Sequence, residues 1–295
     1  MKPIPVLFSI CLLLAPLTGT MRAQSPFDGF DPNANGLIRV IAVQPDGKMI
    51  FGGDFSSVAP NGSGAVARNH IARFNPNGTL DTTFNPNISG PVYAIVLQPD
   101  GKILVGGDFT IIGGQPRSYI GRLDATTGAA DSFNPFADDL VSSLALQADG
   151  KILVGGFFIT IGGQTRPRMA RLDGTTGLAD AFNPNPSTIV STIVLQADGK
   201  ILVGGDFTAI GGQMRQRIAR LDPATGAADA FNPSANGSVS TLALQADGKI
   251  LAGGGFTSIA GQPRNRIARL DPAGAADGFN PSANAPVNMI VLQAD

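Results

Sequence analysis

The residues of this sequence that could do chemistry are few in kind. All 22 acids are aspartate, His70 is the lone histidine and Cys11 the lone cysteine. Glutamate-dependent acid–base catalysis, a two-histidine metal site and a disulfide framework are therefore excluded. What recurs is arginine. Arg117, Arg166, Arg215 and Arg264 each stand two or three residues after a Gly pair or its equivalent. A guanidinium grips carboxylate, sulfate or phosphate bidentately, so four at one spacing are candidates for a basic ligand-binding ring. The competing reading pairs each with the aspartate that follows its own repeat's earlier Gly pair, as at Asp108 and Asp206, although Phe157 and Gly255 replace that aspartate in two repeats. A second set, Arg73, Arg122, Arg171, Arg220 and Arg269, reads as strand-to-strand ties through carboxylates, because an unpaired buried charge is costly. Asp138 and Asp139 form an acidic pair and are the calcium candidates, but two carboxylates fall short of the six to eight oxygens calcium takes, and a solvated loop is the simpler reading. His70 occupies the place of Arg217 in a sibling repeat, with no Ser or Asp constellation around it. The lysines of the Asp-Gly-Lys turns read as solvated. Nothing calls for a cofactor, and the Gly doublets precede loops rather than helices, so they are not phosphate cradles.

The elements that must position these residues are set by an internal repeat. Asp-Gly-Lys begins at Asp46, Asp100, Asp149, Asp198 and Asp247, spaced by 54, 49, 49 and 49 residues, and Asp295 falls where a sixth would begin. With 38 Gly, 22 Pro and no Trp the chain is turn-rich, and no stretch has helical periodicity. In the last complete repeat, Val239 to Gln245 alternates as a strand, and Ala246, Asp247 and Gly248 make a tight turn. The apolar run Ile250 to Ala252 enters Gly253 and Gly254, a pair that signals a close backbone approach or a bulge. A third strand follows at Arg266 to Leu270, and a fourth ends at Phe279-Asn280-Pro281, where proline stops ladder pairing. The repeats span 38–86, 92–135, 141–184, 190–233 and 239–281. A lone outer strand at 27–32 and the start of a sixth unit at 287–295 flank them.

Residues 1–23 read as a secretory signal peptide: Lys2, an apolar run from Ile4 to Leu17 and small residues up to Ala23. The run is too short for a membrane span, which needs about 20 residues, and no later segment is long and apolar enough. The mature chain, 24–295, is thus expected to be secreted, at the cell surface or periplasmic. A formal net charge of −1 gives no bulk attraction for nucleic acid or membrane.

Four short strands per repeat, the second apolar on both faces, fit a blade of an all-β β-propeller, giving five complete four-stranded blades and a split sixth. The terminal fragments match a fourth and a first strand, which are not neighbours in a blade. The complete molecule is therefore expected to extend at least about thirty residues further and to hold six or more blades. The fourth repeat reads V-L-Q-A-D-G-K-I-L-V-G-G-D-F-T-A-I-G-G-Q and then R-I-A-R-L-D-P-A-T-G-A-A-D-A-F-N-P. At these residues the repeats resemble the delta-60 repeat of bacterial secreted and surface proteins and, more distantly, kelch blades. Kelch blades carry a Trp on the last strand, where this chain has Phe84, Phe133, Phe182, Phe231 and Phe279. The resemblance implies a non-catalytic propeller serving as a scaffold or as a binding module for a protein or an extracellular glycan. The alternative is a binder of anionic glycan through Arg117, Arg166, Arg215 and Arg264. The third reading, an enzyme with a channel site, is disfavoured because the repeats differ chiefly in small neutral residues.

Overall fold

A computed structural model describes residues 30–293; the signal segment, the start of the 27–32 strand and the last two residues lie outside them. The chain divides into two compact units, Met1–Arg117 with Gly121–Ser132, and Ser118–Ile120 with Phe133–Asp295. Among the described residues the regular elements are strands and one 3-10 turn, Pro60–Gly62.

In the first unit, the first repeat forms an antiparallel sheet of Ile38–Val43, Met49–Gly53 and Ile71–Phe74, in that order. The second repeat does the same with Val92–Leu97, Ile103–Gly107 and Ile120–Leu123. Every residue of each second strand is buried, as its two-faced apolarity requires. The Asp-Gly-Lys turn closes the first hairpin: Asp46 Oδ1 accepts the Lys48 N–H at 3.1 Å, and Gly47 takes φ +81°, which glycine adopts without strain. The loop between second and third strands, which the sequence left unstructured, contains a small hairpin, Ser57–Val58 with Val66–Ala67 and Ile111–Ile112 with Gln115–Pro116. The expected fourth strand shrinks to a single bridge, Phe74 to Leu80 and Leu123 to Ala130. Asp81 explains its brevity, since its Oδ1 accepts the N–H and hydroxyl of Thr83 and turns the chain before the Phe-Asn-Pro.

The second unit repeats this plan three times. Its sheets are Val141–Leu146, Ile152–Gly156 and Met169–Leu172; Val190–Leu195, Ile201–Gly205 and Ile218–Leu221; and Val239–Leu244, Ile250–Gly254 and Ile267–Leu270. Each adds a two-stranded hairpin, and each fourth strand is again one bridge.

The Gly pair does both things its sequence signals. The second glycine faces a bulge in the first strand: the register slips between Val141 and Ser143, and a methyl on Gly156 would overlap the Leu140 carbonyl oxygen. The first glycine lies against the next repeat, where a methyl on Gly204 would stand 2.7 Å from Val239 Cγ1. Ser143 stitches two first strands together, its Oγ accepting the Ile193 N–H at 3.1 Å, and Thr241 accepts the Ile290 N–H of the closing segment at 3.3 Å. The Phe-Asn-Pro phenylalanines of the first, third and fourth repeats latch onto the glycine turn of the following repeat, Phe84 on Gly128, Phe182 on Gly226 and Phe231 on Gly274. Phe30 packs in the same way on Gly78 and stacks with Phe51 and Phe74 at 5.6–5.9 Å.

Candidate ligand-binding site

The third-strand arginines come first, because their geometry decides what the other charges are free to do. Each meets the aspartate just beyond the fourth-strand bridge: Arg73 with Asp81 at 2.9 Å, and Arg122 with Asp131, Arg171 with Asp180, Arg220 with Asp229 and Arg269 with Asp277 at 2.7 Å. The remaining N–H groups reach main-chain carbonyls one repeat on, from Arg73 to Ala125 and Thr126, from Arg171 to Pro223 and from Arg220 to Pro272. The guanidinium of Arg73, Arg171 or Arg220 also lies over Phe84, Phe182 or Phe231, 4.3–5.0 Å from the ring centre. Turn lysines reach the same carboxylates while staying partly in solvent: Lys48 binds Asp81 at 2.9 Å and Lys200 binds Asp229 at 2.7 Å, whereas Lys249 pairs with Asp247 of its own turn at 3.2 Å. The clamp thus ties strand, turn and neighbouring repeat at once.

Four of these carboxylates, Asp81, Asp180, Asp229 and Asp277, are held below the ordinary aspartate range. At Asp81, Asp180 and Asp229 burial pushes upward, and the hydrogen bonds and cations together outweigh it; at Asp277 the Phe279 N–H and Arg269 act against little burial. A carboxylate depressed in the folded state contributes stability that is complete above its unfolded value, about 4, and is lost as pH falls through the folded values. The melting temperature is therefore expected to be level between about pH 7 and 5 and to fall steeply below about pH 4. A melting temperature that stays level to pH 2.5 would contradict the clamp.

The candidate ring arginines are engaged differently from either expectation. Arg166 gives Nε and Nη2 to the Asp180 main-chain oxygen at 3.0 and 2.7 Å and Nη1 to the Thr165 carbonyl at 2.8 Å. Arg215 and Arg264 give Nη2 alone to Asp229 O and Asp277 O at 2.5 and 2.6 Å, and Arg117 gives Nη2 to Asp131 O, the buried Nε of all three having no partner among the described residues. Their partners are carbonyls, not the carboxylates of Asp108 and Asp206; Asp206 instead accepts the Ser238 hydroxyl. A fifth member was hidden by the longer loop of the first repeat. Arg68 donates its N–H to Ser56 O as Arg117 does to Thr110 O, and it is 6% exposed, its pKa lowered by burial against the opposing charge of Asp81.

Asp138 also has a repeat-wide duty. Its Oδ1 accepts the N–H groups of Ile159 and Thr160 at 2.8 and 3.0 Å, and Asn35, Ser89, Ser187 and Asn236 do the same in their own repeats. Asp139 accepts the Leu140 N–H. Among the described residues no group of three or more metal-ligating side chains converges. His70 stands at φ +64°, its Nδ1 3.2 Å from Gly53 O, at a position where Arg168, Arg217 and Arg266 share its backbone conformation.

What sequence reasoning missed is the set of bulged residues. Serine fills this position in the second unit, at Ser142, Ser191 and Ser240, whereas the first unit carries Arg39 and Tyr93. Arg39 gives Nε and Nη2 to the two oxygens of Asp54 at 2.8 and 2.6 Å, and its guanidinium lies 5.2 Å from the Tyr93 ring centre. Burial pushes the Tyr93 hydroxyl up, with Asp108 and Asp54 adding to it and Arg39 opposing. Arg39 is exposed, and among the described residues no group accepts from its Nη1. The cluster therefore offers a guanidinium N–H, a phenol and carboxylates at one place. A bulge is what aims such side chains outward.

The family model for Domain of unknown function (DUF5122) beta-propeller matches residues 44–84, 98–133, 147–177, 196–231 and 245–278, one stretch in each repeat. The chain belongs to this family. It is an all-β β-propeller repeat protein, and a binding or scaffold module is consistent with that fold. Among solved structures, it is similar to the WD40 beta propeller domain of Doa1 at a TM-score of 0.53 and 15% identity, over 80% of this chain and 63% of that one. It is also similar to the extracellular domain of the putative one component system BT4673 from B. thetaiotaomicron, at 0.55 and 14%, over 85% of this chain and 30% of that one. The chain thus spans less than two thirds of either neighbour, and at these identities the likeness is one of fold. No curated protein matches it by sequence. Among the described residues no helix is long and apolar enough to cross a membrane.

Proposed function

We propose that this member of the DUF5122 β-propeller family is a non-catalytic binding module with delta-60-type repeats, exported by residues 1–23, that takes a protein or an extracellular glycan. The observation that carries the reading is where the repeats differ. Clamp, bulge and latch recur throughout, while the bulged position changes from serine to Arg39 and Tyr93 beside Asp54. Hydrogen-bonding groups around an aromatic ring suit recognition of a polar ligand. The extracellular neighbour from B. thetaiotaomicron supports export at the level of fold. An anionic-glycan ring of Arg117, Arg166, Arg215 and Arg264 would have to give up the carbonyl bonds that hold its guanidinium groups, so the ligand is placed at Arg39 and Tyr93 instead.

Incubation with soluble polysaccharides and with a peptide library separates binding from turnover. The expected result is retarded migration of the protein with at least one ligand whose mass is unchanged after release. Accumulating reducing ends or cleaved peptides would make the protein an enzyme and overturn the reading.

A further inference from the structure

The second repeat has a cleft where the third and fourth repeats seat a hairpin tip. In the third and fourth repeats the hairpin tip is seated: Gly162 donates to Pro135 O at 2.8 Å and accepts from Ala179 N–H at 3.0 Å, and Gly211 does so with Pro184 and Ala228 at 2.7 and 3.0 Å. In the second repeat the equivalent Gly113 donates to Asn87 O instead, at 3.3 Å, and neither Pro86 O nor the Ala130 N–H bonds to the hairpin. A cleft of about 610 Å³ opens there, lined by Asn85, Gln115, Arg117, Thr127, Asp131 and Ser132 among others.

Two residue changes account for the opening. Buried Ile88, bridged to Ile112 beneath the hairpin, stands where the other repeats have Ala34, Ala137, Pro186 and Ala235. Gly121 stands where they have Ala72, Ala170, Ala219 and Ala268, and a methyl on it would come within 2.5 Å of Ile112 Cδ1. Ile88 takes up space under the hairpin, Ile112 enters the notch left by Gly121, and the hairpin tip stands away from the Ala130 strand. An enlargement matched by a reduction keeps the core filled.

The lining sets the ligand class. Its two charges are engaged: Arg117 gives Nη1 to Pro116 O at 2.6 Å and Nη2 to Asp131 O, its unpartnered Nε being buried out of reach of solvent, and Asp131 pairs with Arg122 at 2.7 Å and Lys102 at 3.4 Å. The rest of the lining is neutral and mixed, with the amide side chains of Asn85 and Gln115 and the hydroxyl of Ser132, beside Pro86 and Ala130; the Thr127 hydroxyl is held by Asp124 and the Ala129 N–H. The volume falls in the range of small-molecule sites, about 300–1,000 Å³. We infer that this cleft binds a neutral saccharide through its hydroxyl groups. The inference rests on the binding-module reading and adds to it a second site, independent of Arg39 and Tyr93.

The test is a titration of the full chain with neutral oligosaccharides built from glucose, mannose, xylose and N-acetylglucosamine, with oligogalacturonate as the charged comparison, following the amide resonances of Gly113 and Ala130. A neutral oligosaccharide is expected to shift both, and Ile88→Ala/Gly121→Ala, which restores the sibling residues and should fold as they do, is expected to weaken binding at least tenfold. Ser132→Ala, the residue found at Ala181 and Ala230, should weaken it less. Shifts that persist in the double variant, shifts with oligogalacturonate alone, or none with any sugar would each overturn the inference. Arg39→Ser/Tyr93→Ser should leave these shifts unchanged, so failure here is distinguishable from failure at the bulge cluster.

Discussion

Replacing Arg73 with methionine is expected to lower the unfolding free energy by about 3–5 kcal/mol, the largest effect of any single clamp residue. Arg73 is 2% exposed, and the Asp81 side chain it meets is 7% exposed, whereas the clamp arginines of the second unit are 12–29% exposed and better screened. Arg73→Met leaves a buried carboxylate with only Lys48 and the Thr83 donors, and it strips Ala125 O and Thr126 O of their donor. The methionine still fills the volume over Phe84, so the loss reports charge and hydrogen bonding rather than a cavity. Arg73→Met/Asp81→Leu removes both buried charges, leaving Lys48 to solvent, and is expected to recover about half of that loss. Urea denaturation of the three proteins checks the pattern. A double variant less stable than Arg73→Met would show that the bonds of Asp81 to Lys48 and Thr83, not its pairing with Arg73, are its main contribution.

Gly205→Ala is expected to cost about 3 kcal/mol, and Gly212→Ala in the same repeat about 1 kcal/mol. The two have different physical causes. At Gly205 the new methyl overlaps the Ile189 carbonyl oxygen, whose position is set by the bulge at Ser191, so the bulge itself must give way. At Gly212 the methyl meets nothing, and the penalty is only that of placing alanine at φ +75°. Equal costs in thermal unfolding would remove the bulge as the reason for the second glycine.

The sequence made the recurring parts visible. The strand positions followed from alternation and from Asp-Gly-Lys turns, the tight approach at the Gly pair from the absence of side chains, and the role of Arg73 and its siblings from the cost of an unpaired charge. The parts it hid depend on main-chain atoms or on insertions. The partners of Arg117, Arg166, Arg215 and Arg264 are carbonyl oxygens, which every residue has and no sequence pattern marks. Arg68 was displaced from its siblings by the five extra residues of the first hairpin. The fourth strand was expected to be longer because A-D-x-F-N-P looks extended, yet the aspartate folds back on the main chain after one bridge. Arg39 and Tyr93 were visible as departures from serine, but only the bulge shows that both leave the strand at equivalent positions and meet.

The most direct test of a binding module centred on Arg39 and Tyr93 is a glycan and peptide array probed side by side with the unaltered protein and Arg39→Ser/Tyr93→Ser. That variant installs the serine used at Ser142, Ser191 and Ser240, so an unchanged melting temperature is expected beside it. The account predicts at least one ligand bound by the unaltered protein and reduced tenfold or more in the variant. Equal binding by both, or no ligand for either, would contradict it.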